Sequence, residues 1–375
     1  MSGLVLGDYP RLVIKVGSSL LVDDSGQLDR SWLEKLADDV AALTKNHHEV
    51  LIVSSGAIAI GCSVLGLNKQ RARLENLQAA AAAGQVQLVH AYQEALGRHE
   101  IAAAQVLLTP DDTEDRRRFL NARRTLGKLL ESSVVPILNE NDTVATEEIR
   151  YGDNDRLAAR IAQLVMADAL ILLSDVDGFY TADPRFDKDA EHIAEVTSIG
   201  NDLLKMAGET RSDIGTGGMA TKVQAAGIAT HAGCSTIIAS GAIGHPLRAL
   251  SDGARCTVFH ASKTPAAARK QWLAGVLEVS GELQLDNGAV RALRDNSSLL
   301  PVGVVAVAGN FRRGDVVTLK DMSGTSIGRG LAEYSDDEAS RLAGIQSAQI
   351  EAVLGYRGRA VMVHRDELVL FDHGE

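Results

Sequence analysis

The chain has 375 residues and a formal net charge of −11, from 38 lysines and arginines against 49 aspartates and glutamates. Hydrophobic residues make up 45% and charged residues 23%, as in ordinary folded proteins, which excludes collagen-like, coiled-coil and largely disordered chains. The acidic balance argues against a general nucleic-acid-binding protein, because such proteins need a basic surface. The length exceeds what one hydrophobic core usually supports, so two domains are expected.

Short apolar runs rich in β-branched residues alternate with longer helical patterns up to about residue 260. The predicted strands cover residues 12–16, 50–53, 101–108, 134–138, 169–173, 236–239 and 256–259. The predicted helices cover residues 31–45, 74–96, 114–130 and 156–166. This alternation predicts an α/β domain whose mostly parallel sheet is covered on both faces by helices. Ligands of such sheets bind beyond the carboxyl ends of the strands.

The pattern changes after residue 260. An alanine-rich basic segment, 261–275, is predicted to be a linker or a connecting helix. A small β-rich barrel domain is predicted over 276–360, followed by a C-terminal strand and tail over 361–375. The predicted elements of this region are strands at 302–307, 315–319, 327–332 and 360–364 and a helix at 336–343.

Cysteine usage and hydropathy bear on location. The three cysteines, Cys62, Cys234 and Cys256, lie far apart and form no CxxC pair, so neither a zinc ribbon nor a disulfide framework is predicted. A reduced, cytoplasmic setting is expected, and the first ten residues lack the basic region of a signal peptide. The uncharged segment 50–68 is rich in glycine and serine and is interpreted as a strand, a turn and a helix, not as a membrane span.

Polar and glycine residues gather at the ends of four predicted strands. They include Lys15 and Gly17, Ser55 and Gly56, Asn139 and Asp142, and Ser174 and Asp175. Lys15 lies inside an apolar strand, where its ammonium either reaches solvent at a sheet edge or pairs with an anion. The glycine that follows two residues later favours phosphate binding, because it lets backbone N–H groups approach a ligand.

Two further segments carry chemical signals. Residues 215–222 form a glycine-rich turn that leads into a helix with Lys222 one turn inside it, a pattern that suits a phosphate, although such turns are also often purely structural. Residues 152–155, Gly-Asp-Asn-Asp, open another helix and could simply cap it. Three cap-forming residues in a row exceed what one cap requires, so they could instead hold a substrate ammonium group and orient a lysine.

Eight short strings, in order along the chain, resemble the bacterial glutamate 5-kinase family within the amino-acid kinase superfamily. They are 13–19, 54–58, 107–109, 119–123, 139–142, 152–155, 177–184 and 215–222. The C-terminal region resembles a PUA domain through residues 297–301, 309–311 and 313–314. The resemblance implies an open αβα sandwich plus a small PUA-like domain, and ATP-dependent phosphorylation of the L-glutamate γ-carboxylate, the first step toward proline. It also implies feedback inhibition by proline and a homodimer or homotetramer.

The resemblance assigns roles position by position. Lys15, Lys222 and Asp155 would be catalytic, with the lysines on the transferring phosphoryl group and the aspartate holding both. The residues expected to bind glutamate are Ser55, Gly56, Asn139, Asp142, Asp153 and Asn154. Those expected to bind ATP are Lys15, Gly17, Ser174, Asp175, Thr216, Gly217, Gly218, Met219, Ala220, Thr221 and Lys222. Mg²⁺ would be held mainly by the ATP phosphates and water, and no metal ligand from the protein is predicted.

The chemistry and the alternatives follow from the same residues. A carboxylate substrate is already ionised near neutral pH, since the reference glutamate pKa is about 4.3, so no general base is needed.

A related kinase of aspartate or N-acetylglutamate is the nearest alternative function. A second alternative is RNA binding by the PUA-like domain. The region from Gly275 onward has 10 basic and 15 acidic residues, a net charge of −5, which does not favour binding to phosphates. Its candidate phosphate contacts are Arg312, Arg313, Arg357 and Arg359.

Overall fold

A computed structural model of the chain describes residues 6–23, 26–144, 154–208, 218–275 and 278–371. Contacts between residues divide the chain into two compact units, Met1–Pro265 and Ala266–Glu375. No helix in the described part of the chain combines the length and the apolar character that a membrane crossing requires.

The first unit alternates strands and helices. Its strands are β1 Arg11–Val16, β2 Glu49–Ser54, β3 Ala103–Leu108, β4 Val135–Glu140, β5 Ala169–Ser174, β6 Phe179–Tyr180, β7 His192–Ile193, β8 Glu195–Val196, β9 Ser235–Ser240 and β10 Cys256–Phe259. Its helices are α1 Ser18–Leu21, α2 Arg30–Lys45, α3 Ala57–Leu65, α4 Leu74–Gly97, α5 Pro110–Glu114, α6 Arg116–Glu131, α7 Asn154–Val165, α8 Asn201–Met206, α9 Met219–His231 and α10 Pro246–Ser251.

Eight of these strands form one sheet in the order β3-β4-β2-β1-β5-β9-β10-β8. Its neighbouring strands pair in parallel, except that β9 and β10 are antiparallel. The predicted mostly parallel sheet is therefore confirmed. On one side of β1 lie β2, β4 and β3, and on its other side lie β5 and β9. The carboxyl ends of β1 and β5 therefore flank the point where the strand order reverses. Ligands of such sheets usually bind at this point.

Alternation along β1 sends its side chains into two separate cores. Leu12 and Ile14 pack into a core that includes residues of α2, α4 and α10, whereas Val13 packs into a core that includes residues of α6, α7 and α9. Side chains two residues apart on a strand share a face. Lys15 therefore points toward the same helices as Val13, which places an ammonium group beside α7 and α9.

Helices α3 and α4 pack with their backbones in close contact at two glycines. A Cβ added to Gly61 would overlap the backbone of Ala80, and one added to Gly84 would overlap the carbonyl of Ala57. No side chain larger than hydrogen fits at either position unless the helices separate. This contact fixes the start of α3, which follows directly after the end of β2.

We expect the Gly84→Ala substitution to lower the free energy of unfolding by about 1 to 3 kcal/mol, the usual range for overpacking a close contact. The matched control is Gly97→Ala at the end of the same helix, where an added Cβ meets no atom within 4 Å, and whose effect should stay within about 0.5 kcal/mol. Urea unfolding of the two variants tests this. Equal stability of both would show that the helices separate freely.

The helix predicted at 114–130 is confirmed with a start two residues later, since α6 covers Arg116–Glu131 and the short helix α5 ends at Glu114. Asp115 lies between them in an extended conformation, and its side chain accepts a hydrogen bond from Arg118 N at 2.8 Å. An aspartate side chain that caps a new helix competes with continuation of the preceding one.

The second unit is rich in short strands. Its elements are α11 Pro265–Gly275, β11 Gly281–Leu285, α12 Asn287–Arg294, β12 Val304–Gly309, β13 Val316–Lys320, β14 Ser326–Leu331, α13 Asp336–Leu342, α14 Ile350–Leu354 and β15 Leu368–Leu370. The five strands form a mixed sheet in the order β12-β11-β13-β14-β15, in which β11 and β13 are parallel. Its buried core includes Leu283, Phe311 and Leu319. The segment predicted as a linker or connecting helix contains the regular helix α11.

The strand predicted at 360–364 is wrong. Val363 makes only an isolated bridge with Leu299, and the last strand of the sheet is β15, farther along the chain. A short turn of 3₁₀ helix, Arg365–Glu367, lies between Val363 and β15. The ring Nδ1 of His364 accepts a hydrogen bond from Asp366 N at 3.3 Å, and such a local cap favours a turn over an extended strand.

Candidate active site

An ion-pair triad lies at the centre of the first unit. The Lys15 ammonium is 2.6 Å from Asp155 Oδ1, and the Lys222 ammonium is 3.1 Å from Asp155 Oδ2. The aspartate is fully buried, and each lysine side chain is only 7% exposed. Three elements meet here, since Lys15 is on β1, Asp155 is the second residue of α7 and Lys222 is in the first turns of α9.

The triad has one positive charge in excess. Burial by itself would raise the pKa of Asp155, but the ammonium groups of Lys15 and Lys222 outweigh burial and hold that pKa below its ordinary value. The carboxylate is therefore ionised at neutral pH and balances only one of the two lysines. A buried excess positive charge at the strand ends is an environment that stabilises a bound anion.

A chain of side-chain amides lies at the ends of β2 and β4. Asn154 Nδ2 donates to Ser55 Oγ at 2.8 Å and to Asn139 Oδ1 at 2.9 Å, and it is 3.2 Å from the carbonyl of Ser54. Asn139 Nδ2 in turn donates to Gln85 Oε1 at 3.0 Å. Three predicted glutamate-binding residues, Ser55, Asn139 and Asn154, are thus brought together, and Asn154 is the neighbour of Asp155 in sequence.

Gly56 and Asp142 occupy the neighbouring loops. Gly56 is the N-cap of α3 with a φ of 106°, a left-handed conformation that glycine adopts without strain, and it provides no capping side chain. The first N–H groups of α3 are therefore available for an anionic ligand. Asp142 is half-buried in the turn that follows β4. Both predicted residues lie at strand ends.

The described residues predicted to bind ATP lie at the ends of β1 and β5 and at the start of α9. Gly218 is the N-cap of α9 and has no capping side chain, and Met219, Ala220 and Thr221 form the first turn. Ser174 is buried at the end of β5 and Asp175 is exposed just after it. Gly17 is joined to the β5 end, because its N–H donates to the carbonyl of Leu173 at 3.3 Å.

Three predicted site residues, Asp153, Thr216 and Gly217, lie outside the described residues. Conversely, sequence reasoning missed Gln85 and Tyr92 of α4. Tyr92 donates a hydrogen bond from its hydroxyl to Ser54 Oγ at 3.0 Å, and Gln85 holds Asn139. A polar residue on the buried face of an amphipathic helix is the signal that could have revealed Gln85.

The described residues at the start of α9 fit a nucleoside triphosphate. An uncapped helix start at Gly218 and the Lys222 ammonium offer N–H and cationic donors to phosphate oxygens. Among the described residues, no group of three or more His, Cys, Asp or Glu side chains could hold a metal ion.

The sequence comparisons agree with this geometry. The model of the amino acid kinase family matches residues 10–240, and that of the PUA domain matches residues 281–354. The chain is 55% identical over 361 residues to the glutamate 5-kinase of Paramagnetospirillum magneticum, covering 96% of this chain and 97% of that protein. It is 52% identical to the glutamate 5-kinase of Agrobacterium fabrum, covering 97% and 94% of the two chains, and 54% identical to glutamate 5-kinase 1 of Rhizobium meliloti, covering 97% and 93%. The chain belongs to the amino acid kinase family, in its glutamate 5-kinase branch.

Proposed function

We propose that this protein transfers the γ-phosphoryl group of ATP to the γ-carboxylate of L-glutamate and produces L-glutamyl 5-phosphate and ADP. The observation that carries the proposal is the buried triad of Lys15, Asp155 and Lys222, next to the amide cluster of Ser55, Asn139 and Asn154. The names of the relatives, which match over nearly the whole chain, supply the substrate.

In the proposed reaction, a γ-carboxylate oxygen attacks the γ-phosphorus in line with the leaving ADP oxygen. One O–P bond forms, the bond to the β–γ bridging oxygen breaks, and ADP takes the electron pair. The nucleophile is already ionised, so no protein base is required. Lys15 and Lys222 counter the negative charge on the transferring group, and Asp155 holds both ammonium groups in position. Bound Mg²⁺ would neutralise part of the phosphate charge.

We infer where the two substrates bind from the residues at the strand ends. We place glutamate beside Ser55, Gly56, Asn139, Asp142, Asp153 and Asn154, where carboxylate and amide oxygens suit its ammonium group and the start of α3 suits a carboxylate. We place ATP along Lys15, Gly17, Ser174, Asp175 and residues 216–222. The two sites then meet at the lysine pair, where the excess positive charge lies.

The test is an ATP- and Mg²⁺-dependent assay in which hydroxylamine traps the acyl phosphate as a hydroxamate. L-Glutamate should give the product, and L-aspartate and N-acetyl-L-glutamate should give at most a small fraction of it. Product from aspartate or N-acetylglutamate but not from glutamate would overturn the proposal in favour of a related kinase on the same fold.

Regulation, assembly and location belong to the same proposal, through the family. We expect the reaction to be the first step toward proline, in the cytoplasm, and the protein to form a homodimer or homotetramer. We also expect millimolar-range proline to inhibit the purified protein. Activity that is insensitive to proline would refute the regulatory part alone.

RNA binding is not proposed, because two of the four candidate arginines, Arg313 and Arg359, lie 3.9 and 3.7 Å from the buried carboxylate of Glu333.

Replacing Asp142 with alanine is expected to raise the KM for glutamate by about tenfold or more, with a smaller change in kcat. The reason is that a carboxylate paired with the substrate ammonium contributes mainly to binding, and a hydrogen bond to a charged group contributes about 1.5 to 3 kcal/mol. Steady-state kinetics with glutamate and ATP varied in turn measure both constants. A fall in kcat with an unchanged KM for glutamate would mean that Asp142 acts in the chemical step instead.

A further inference from the structure

Helix α4 contributes two buried polar side chains to the edge of the amide cluster. Gln85 and Tyr92 are seven residues apart, which places them on the same face of the helix two turns from each other. Gln85 is 7% exposed and Tyr92 only 1%. Gln85 holds Asn139, and Tyr92 holds the side chain of Ser54. Because the carbonyl of Ser54 and the amide of Asn139 both accept from Asn154, α4 supports the Asn154 side chain from two directions.

The hydrogen bonds in this cluster have one direction, which the carbonyl of Ser54 sets, because a carbonyl can only accept and therefore faces Nδ2 of Asn154. Asn139 then presents Oδ1 to Asn154, and its own Nδ2 faces α4. That Nδ2 requires an acceptor, and Gln85 supplies Oε1. The Nδ2 group of Asn154 is thereby committed to protein acceptors, and its Oδ1, at the other end of the planar amide, faces away from them. An amide oxygen in that orientation suits a substrate ammonium group.

Gln85 is also a costly residue for a core position. Its Nε2 is buried and has no hydrogen-bond partner among the described residues. A buried donor without an acceptor is unfavourable, and a leucine or methionine at the same place would avoid that cost. Residues that violate a packing rule in this way concentrate at functional sites, where the cost is offset by function.

We propose that Gln85 is a positioning residue for glutamate: its Oε1 accepts from Asn139 and holds that amide with Oδ1 toward Asn154, which keeps the Asn154 amide oxygen turned toward the substrate. This inference rests on the proposed function, because it assigns the amide cluster to glutamate. It predicts an effect on glutamate binding without an effect on ATP binding, since the nucleotide residues are not part of the amide cluster.

The experiment compares the wild type with Gln85→Leu, Gln85→Glu and Gln87→Leu in the hydroxamate assay, with glutamate and ATP varied separately. Gln85→Leu removes the acceptor and should raise the KM for glutamate about three- to tenfold, the range for one lost hydrogen bond. Its kcat should stay within about twofold and its KM for ATP should not change. Gln85→Glu keeps an oxygen acceptor toward Asn139 Nδ2 and should retain a KM for glutamate within about twofold of the wild type.

Gln87→Leu is the matched control, because Gln87 is an exposed glutamine two residues away on the same helix; its kinetics should equal those of the wild type. Thermal unfolding of each variant separates positioning from structural support. Gln85→Leu removes a bond and an unsatisfied donor together, so its melting temperature should stay near that of the wild type.

Two results would overturn the inference. One is an equal rise in both KM values together with a lower melting temperature, which indicates a merely structural residue. The other is identical behaviour of the leucine and glutamate variants, because the oxygen acceptor would then not matter. A wild-type protein that gives no hydroxamate from glutamate would instead refute the proposed function, so the two failures are distinguishable.

Discussion

The Asp155→Asn variant is expected to lose at least about a hundredfold in kcat, with a much smaller change in the KM for glutamate. The carboxylate contacts both buried ammonium groups, at 2.6 and 3.1 Å. An asparagine has nearly the same shape but no charge, so it leaves two like charges close together without a counter-ion. The lysines are then expected to move apart, and the loss of one well-placed transition-state donor alone costs about 10²- to 10³-fold in rate.

The same change should lower stability. Removing one partner of a buried ion pair typically costs about 3 to 5 kcal/mol. The pKa of Asp155 is lowered in the folded state, and a carboxyl of this kind contributes stability above its unfolded pKa of about 3.9 that is lost as the pH falls through the folded pKa. The difference in unfolding free energy between wild type and Asp155→Asn should therefore be largest near neutral pH and shrink in acid.

Two measurements check this, namely steady-state kinetics at neutral pH and denaturant unfolding at a series of pH values. Asp252→Asn is a suitable control, since Asp252 is an exposed carboxylate at the end of α10, and its kinetics and stability should match the wild type. A variant of Asp155 with normal kcat, or a stability difference that grows in acid, would contradict the assigned role.

The Lys222→Ala variant is expected to lower kcat by about a hundredfold or more while preserving the fold better than Asp155→Asn does. Asp155 would still be paired with Lys15 at 2.6 Å, so no buried charge loses its only partner. The loss then reports the missing ammonium group on the transferring phosphoryl group, the scale expected for one transition-state donor.

The control for this variant is Lys205→Ala, which removes an exposed lysine at the end of α8. Kinetics and thermal unfolding of both variants should separate the two positions, with normal values for Lys205→Ala. If kcat of Lys222→Ala stayed within a few-fold of the wild type, Lys222 would have no part in the chemical step.

Strand–helix alternation predicted the sheet and the main helices to within a few residues, because each of these segments has a strong period of its own. The predictions differ from the structure where a single side chain competes with that period. Asp115 moves the start of the helix predicted at 114–130 to Arg116, and His364 caps a turn where a strand was predicted at 360–364. Such local hydrogen bonds override a pattern that is read only as apolar or polar.

In the candidate site, too, the local sequence reveals some residues, and the fold alone shows which residues they contact. Lys15 could be noticed in the sequence because a lysine is out of place in an apolar strand. That its partner is Asp155, 140 positions farther along, depends on α7 packing against the face of β1 that Val13 shares. Gln85 is noticeable in the sequence only as a polar residue on the buried face of a helix, and nothing in its neighbouring residues indicates that it reaches Asn139 at the end of β4.

Residue order alone predicts the α/β alternation, the two-part organisation suggested by the length, and the strand ends at which polar residues gather. These features are predictable because strand and helix periods and glycine-rich turns are local properties of the chain. The resemblance implied that one carboxylate serves two lysines, and the structure shows the two contacts at 2.6 and 3.1 Å. The burial of the excess positive charge and the support of the amide cluster by α4 became visible only in the folded molecule. Those features depend on distances between residues far apart in the chain, which packing of the sheet and its helices sets.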